Sequence, residues 1–74
     1  MKVFHVRFKA VDTDCETLRL YSIGVCAGSV MEAKAIAAND LACRGFTRVD
    51  IISAYSVGSP NGWTYGQTLL YGIE

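Results

Sequence analysis

Ser29-Val30-Met31-Glu32-Ala33-Lys34-Ala35-Ile36-Ala37-Ala38-Asn39-Asp40-Leu41-Ala42-Cys43-Arg44-Gly45 is the stretch that decides the fold. Ser29 can accept a hydrogen bond from the first turn, and Glu32, three residues on, can reach back in a reciprocal capping box. Alanine recurs at 33, 35, 37, 38 and 42, which favours helix. Gly45 follows Arg44 where a left-handed residue ends many helices and a basic side chain suits the dipole. The stretch therefore predicts one helix from Ser29 to Arg44. Val30, Ala33, Ala37 and Leu41 form its apolar stripe, with Ile36 on the flank. Small side chains there let a helix lie close to a sheet.

Working outward, Lys2 to Ala10 alternates with a period of two, the mark of a half-buried strand. Phe4, Val6, Phe8 and Ala10 share one face; Val3, His5, Arg7 and Lys9 share the other. Acidic, turn-forming residues from Asp12 to Glu16 interrupt it. A second strand is expected over about Thr17–Ala27. Leu18 and Leu20 have the opposite parity to Ile23, Val25 and Ala27, so a β-bulge near Tyr21 or Ser22 is expected to bring both sets to the core. After the helix, Thr47–Val57 reads as a strand with Val49 and Ile51 inward and Arg48 and Asp50 outward. Gly58-Ser59-Pro60-Asn61-Gly62 reads as a turn. Trp63–Tyr71 reads as a fourth strand, because Trp63, Tyr65, Leu69 and Tyr71 share a parity. The expected fold is α+β, ordered ββαββ: a single helix packed on one face of an antiparallel sheet of about four strands. Residues 1–74 form a single domain.

The 74 residues are 51% hydrophobic, more than one helix can cover. Some apolar surface is expected to face a partner, and one candidate is a second copy in a homodimer. Seven basic and seven acidic residues cancel, so net charge steers the chain toward neither nucleic acid nor membrane. No apolar run approaches the 18 or so residues a span needs, and Met1–Val11 lacks a signal-peptide core. Cys15, Cys26 and Cys43 are an odd number without metal spacing, which suits reduced thiols in a cytoplasm. Cys26 and Cys43 read as small buried hydrophobes.

An enzyme lacks its parts here. The single histidine, His5, sits in a strand without a nucleophile beside it. Cys15 lies between Asp14 and Glu16, whose charges oppose a thiolate. Asp12, Asp14 and Glu16 lack the glycine and distant glutamate of a calcium loop. Gly24 and Gly28 lack the lysine of a phosphate loop. No metal or cofactor is called for. Charge placement says more. With the helix on the Phe4/Val6/Phe8 face, His5, Arg7, Lys9, Arg19 and Arg48 are expected to project from the other face as a basic strip, interrupted by Asp50. That strip suits phosphates or the acidic groove of a protein, or equally a solvated face that discourages edge pairing. Tyr21 is a candidate to emerge among these residues.

Ser29, Ala33-Lys34, Ile36-Ala37, Gly45 and the alternating strand around Val49–Ile51 resemble the pattern of a family of small phage-encoded anti-CRISPR proteins that inhibit the type I-F surveillance complex. The match covers about a third of the chain. The resemblance implies a non-catalytic inhibitor in the host cytoplasm that binds the subunits holding the guide RNA and blocks pairing with target DNA. Lys34 matches a basic helix residue that takes part in that contact; the family's next basic position is Ala35 here. The partner-binding set so expected is Arg7, Lys9, Arg19, Lys34 and Arg48. A small nucleic-acid-binding module and an oligomerising structural subunit are the alternative readings.

Overall fold

A computed structural model of the chain describes residues 1–13 and 16–74. Its elements are β1 (Lys2–Val11), β2 (Leu18–Ala27), α1 (Val30–Cys43), β3 (Thr47–Gly58) and β4 (Thr68–Ile73). The strands form one antiparallel sheet in the order β3-β1-β2-β4. The ββαββ expectation holds. Asp14 and Cys15 lie outside the described residues, and with them the readings of Cys15 and of the full acidic turn.

The helix starts and stops where its local chemistry says. Ser29 is the N-cap, its Oγ accepting from the Glu32 N–H at 3.2 Å. The Glu32 carboxylate accepts from the Gly28 N–H at 2.7 Å rather than from Ser29, so the box closes one residue early. At the other end Phe46 N–H donates to Leu41 O and Gly45 N–H to Ala42 O. This paired pattern is a Schellman motif, and Gly45 at φ +93° supplies its left-handed residue. Arg44 ties back to Asp40 at 2.6 Å.

Ala33, Ala37 and Leu41 bury the helix stripe against Phe4, Val6, Phe8 and Ala10 of β1 and Tyr21, Ile23, Val25 and Ala27 of β2. Phe46 closes the core edge-on to Phe8 and Tyr21. Val30 is exposed, so the stripe begins at Ala33. Cys26 is buried as expected, whereas Cys43 is exposed, on the outer side of the last helical turn.

Three expectations for the strands are corrected. β1 and β2 pair without a break from Lys2↔Ala27 to Val11↔Leu18, so β2 has no bulge against β1. Tyr21, Ile23, Val25 and Ala27 take the helix side, and Leu18 and Leu20 take the other. Tyr21 is thereby buried, stacked on Phe8 at 5.5 Å between centroids. The irregularities lie on the outer strands: three register shifts between β1 and β3, and one between β2 and β4. Finally, β4 begins at Thr68, because Trp63 and Tyr65 belong to two successive turns. Trp63 N–H donates to Pro60 O and Gln67 N–H to Thr64 O, with Gly62 and Gly66 at positive φ. Turn chemistry overrides the shared parity of these aromatics.

Candidate functional site

The helix covers one face of the sheet; the other carries the candidate site. Register places Val3, His5, Arg7, Lys9 and Val11 there from β1, with Cys26, Gly24, Ser22, Leu20 and Leu18 opposite them on β2. From β3 come Tyr55 beside His5, Ser53 beside Arg7 and Asp50 beside Lys9. Leu69 of β4 lies beside Gly24.

An aromatic row crosses this face. The His5 ring sits between Tyr55, 5.3 Å away between centroids, and Tyr71, stacked at 5.6 Å with planes 17° apart. Tyr71 belongs to β4, and β2 runs between it and His5. It reaches over because Gly24 has no side chain. A Cβ there would stand 2.7 Å from the Tyr71 hydroxyl oxygen and 3.1 Å from Trp63 Cη2. A glycine inside a strand often marks such a close approach.

The crossover from Gly58, opposite Val3, to Thr68, opposite Val25, passes over one end of the same face. Gly66 N–H donates to Cys26 O, and Cys26 N–H to Gln67 O. Val3 and Cys26 are buried on this side of the sheet, which makes the crossover end a second, smaller core. Tyr55 and Tyr71 remain 49% and 50% exposed, so the row is fixed in place and still presented outward.

The expected basic strip is divided. Arg7 and Lys9 lie on the open face as foreseen, and Arg7 there pairs with an acid. Arg7 Nε donates to the Glu74 carboxylate at 2.9 Å, a contact that pushes the guanidinium pKa further up. Lys9 stands opposite Asp50 in register. Arg19 pairs with Ala10 and so has helix-side parity, a correction that follows from the unbroken β1–β2 register. Arg48 occupies an irregular position between the Lys9 and Val11 pairings, at φ +54°. Lys34 is exposed on α1, on the helix side of the sheet. The five basic residues therefore do not share one surface: Arg7 and Lys9 belong with the aromatic row, Lys34 with the helix.

The sequence pattern places Tyr71 and Trp63 on a fourth strand and His5 on the open face, without their meeting or the part of Tyr55 in it. The usable signal is Gly24, a glycine amid strand residues, where a close approach competes with the phosphate-loop reading. A second signal was the absence of Asp, Glu, Lys, Arg and His from Ile51 through Ile73. That charge-free run supplies Tyr55, the crossover and β4.

Among the described residues, no group of three or more His, Cys, Asp or Glu is placed to hold a metal ion, and no helix is long and apolar enough to cross a membrane. Compared with protein-family models, curated proteins and solved structures, the chain matches none.

Proposed function

We propose that the chain is a non-catalytic binding protein that docks the open face of its sheet on a protein partner. The observation that carries this reading is the Tyr55–His5–Tyr71 row, stacked across β2 over Gly24 with both tyrosines half exposed. Tyr, Trp and Arg supply most of the energy at protein interfaces, because they bring large area with little rotamer freedom to lose. Arg7 is paired with Glu74 beside the row and Lys9 stands across from Asp50 in register, so the rim of the face mixes both signs of charge.

The sequence resemblance supports a partner class, a host defence assembly, first among them a type I-F surveillance complex inhibited at the surface where it holds nucleic acid. The Lys34 it singles out lies on the helix, outside the face proposed for docking. In that reading the chain is an inhibitor of phage or mobile-element origin acting in stoichiometric amounts. The experiment is to titrate the purified chain into that complex and follow capture of target DNA. Binding with loss of DNA capture is the expected result. No binding, together with undiminished interference in cells that express the chain, rules the target out.

Stacking tyrosines also suit single-stranded nucleic acid, the second reading. Its mark is affinity that falls steeply as salt rises. Titration with oligonucleotides at low salt separates the two.

A further inference from the structure

We propose that β4 is the edge through which two copies of this chain pair about a two-fold axis, joining their four-stranded sheets into one. The two edges of the sheet are built differently. β3 is interrupted by three register shifts and carries Arg48 and Asp50, the devices that keep an exposed edge from pairing. β4, from Thr68 to Ile73, carries no charge and no proline, and its one shift, at Tyr71 and Gly72 (φ +100°), leaves Thr68–Leu70 regular.

β4 also keeps exposed apolar side chains on both faces, with only Leu70 packed on the core and Tyr71 stacked on His5. The helix packs on β1, β2 and β3. Ile73, paired with Tyr21 and so on the helix side, is 59% exposed, while Leu69 and Tyr71 are half exposed on the other side. A ligand on the open face would cover Leu69 and Tyr71 and leave Ile73 in water. Extension of the sheet covers both sides at once, and main-chain hydrogen bonds come with it.

Charge selects a second copy as the occupant. Two-fold antiparallel pairing sets the strand against itself, so a charged residue near the axis would stand near its own like. From Ile51 to Ile73 there is none, and Glu74, just past the strand's end, is held by Arg7. Depletion of charge is also the compositional mark of an interface centre. A stable pair covers about 800 Å² on each partner, and the whole surface of this chain is 4328 Å². Leu69, Tyr71, Ile73 and Tyr65 contribute toward that area, all of them about half exposed or more. The pairing leaves Tyr55 and β3 free but draws on Tyr71, which belongs to the aromatic row as well, so self-association is read on the chain alone, with no partner present.

Sedimentation velocity on the full chain, alone and over a wide concentration range, tests the proposal. The chain is expected to rise to twice its 8.1 kDa mass at high concentration. Ile73→Lys and Leu69→Lys should each hold it at the monomer mass with an unchanged far-ultraviolet circular dichroism spectrum. Ile52→Lys, on the β3 edge, should dimerise like the unaltered chain. If either β4 variant fails to fold, the other decides. A monomer at every concentration overturns the proposal. So does a dimer that survives both β4 substitutions, or one that only Ile52→Lys disrupts.

Discussion

Gly24 allows two side chains from distant parts of the chain to occupy the space above β2. The Tyr71 hydroxyl and the Trp63 ring both lie where a Cβ would go. Gly24→Val should therefore displace them and separate Tyr71 from His5, at a cost of about 1–3 kcal/mol, the usual range for overpacking. Urea unfolding would report the loss. A fall in the near-ultraviolet circular dichroism of the aromatics, with the far-ultraviolet spectrum kept, would show that the face and not the fold had changed. Gly45 has a different reason to be glycine. Its φ is +93°, and a Cβ would stand 2.7 Å from Thr13 Cγ2. Gly45→Ala should cost about 1–2 kcal/mol from the left-handed backbone alone, measurable in the same unfolding experiment.

At the scale of elements, the helix was legible in the sequence because its signals are local: a cap at Ser29, alanines between, a glycine at 45. β1 was legible for the same reason, as strict alternation. β2 was not, because apolar residues occupy both parities. Leu18 and Leu20 suggested one face, while Tyr21, Ile23 and Val25 won it by facing Phe8, Val6 and Phe4 across an unbroken register. The site was least legible. The meeting of Tyr55, His5 and Tyr71 depends on shifts in β3 and β4 that no single strand announces.

The helix start also gives a pH dependence. The Gly28 N–H, with the Tyr65 hydroxyl as a lesser influence, holds the Glu32 carboxyl below its usual pKa. A carboxylate with a depressed folded pKa stabilises the fold above its unfolded pKa of about 4.3, and that contribution is lost as pH falls through the folded value. Thermal melts should therefore show a decline below about pH 4 that is shallower in Glu32→Gln. An identical acid decline in both proteins would show that Glu32 contributes nothing to it.

At the scale of the whole molecule, one helix and a sheet of this size bury a modest core, and the chain adds a second one under its crossover at Val3 and Cys26. That second core lies on the face the helix does not cover. It also divides the molecule into two surfaces, the aromatic sheet face with Arg7 and Lys9, and the helix side with Lys34. The central claim is that the first of these binds the partner. Titration calorimetry of the surveillance complex with the unaltered chain, Tyr55→Ala and Lys34→Glu tests it most directly. Tyr55 stands on β3, clear of the β4 edge, so its loss reports on the face alone. The expected result is tight binding by the unaltered chain, a loss of about 2 kcal/mol, roughly thirtyfold in Kd, for Tyr55→Ala, and no change for Lys34→Glu. Binding that Lys34→Glu abolishes and Tyr55→Ala leaves intact would contradict the claim, and so would no binding at all.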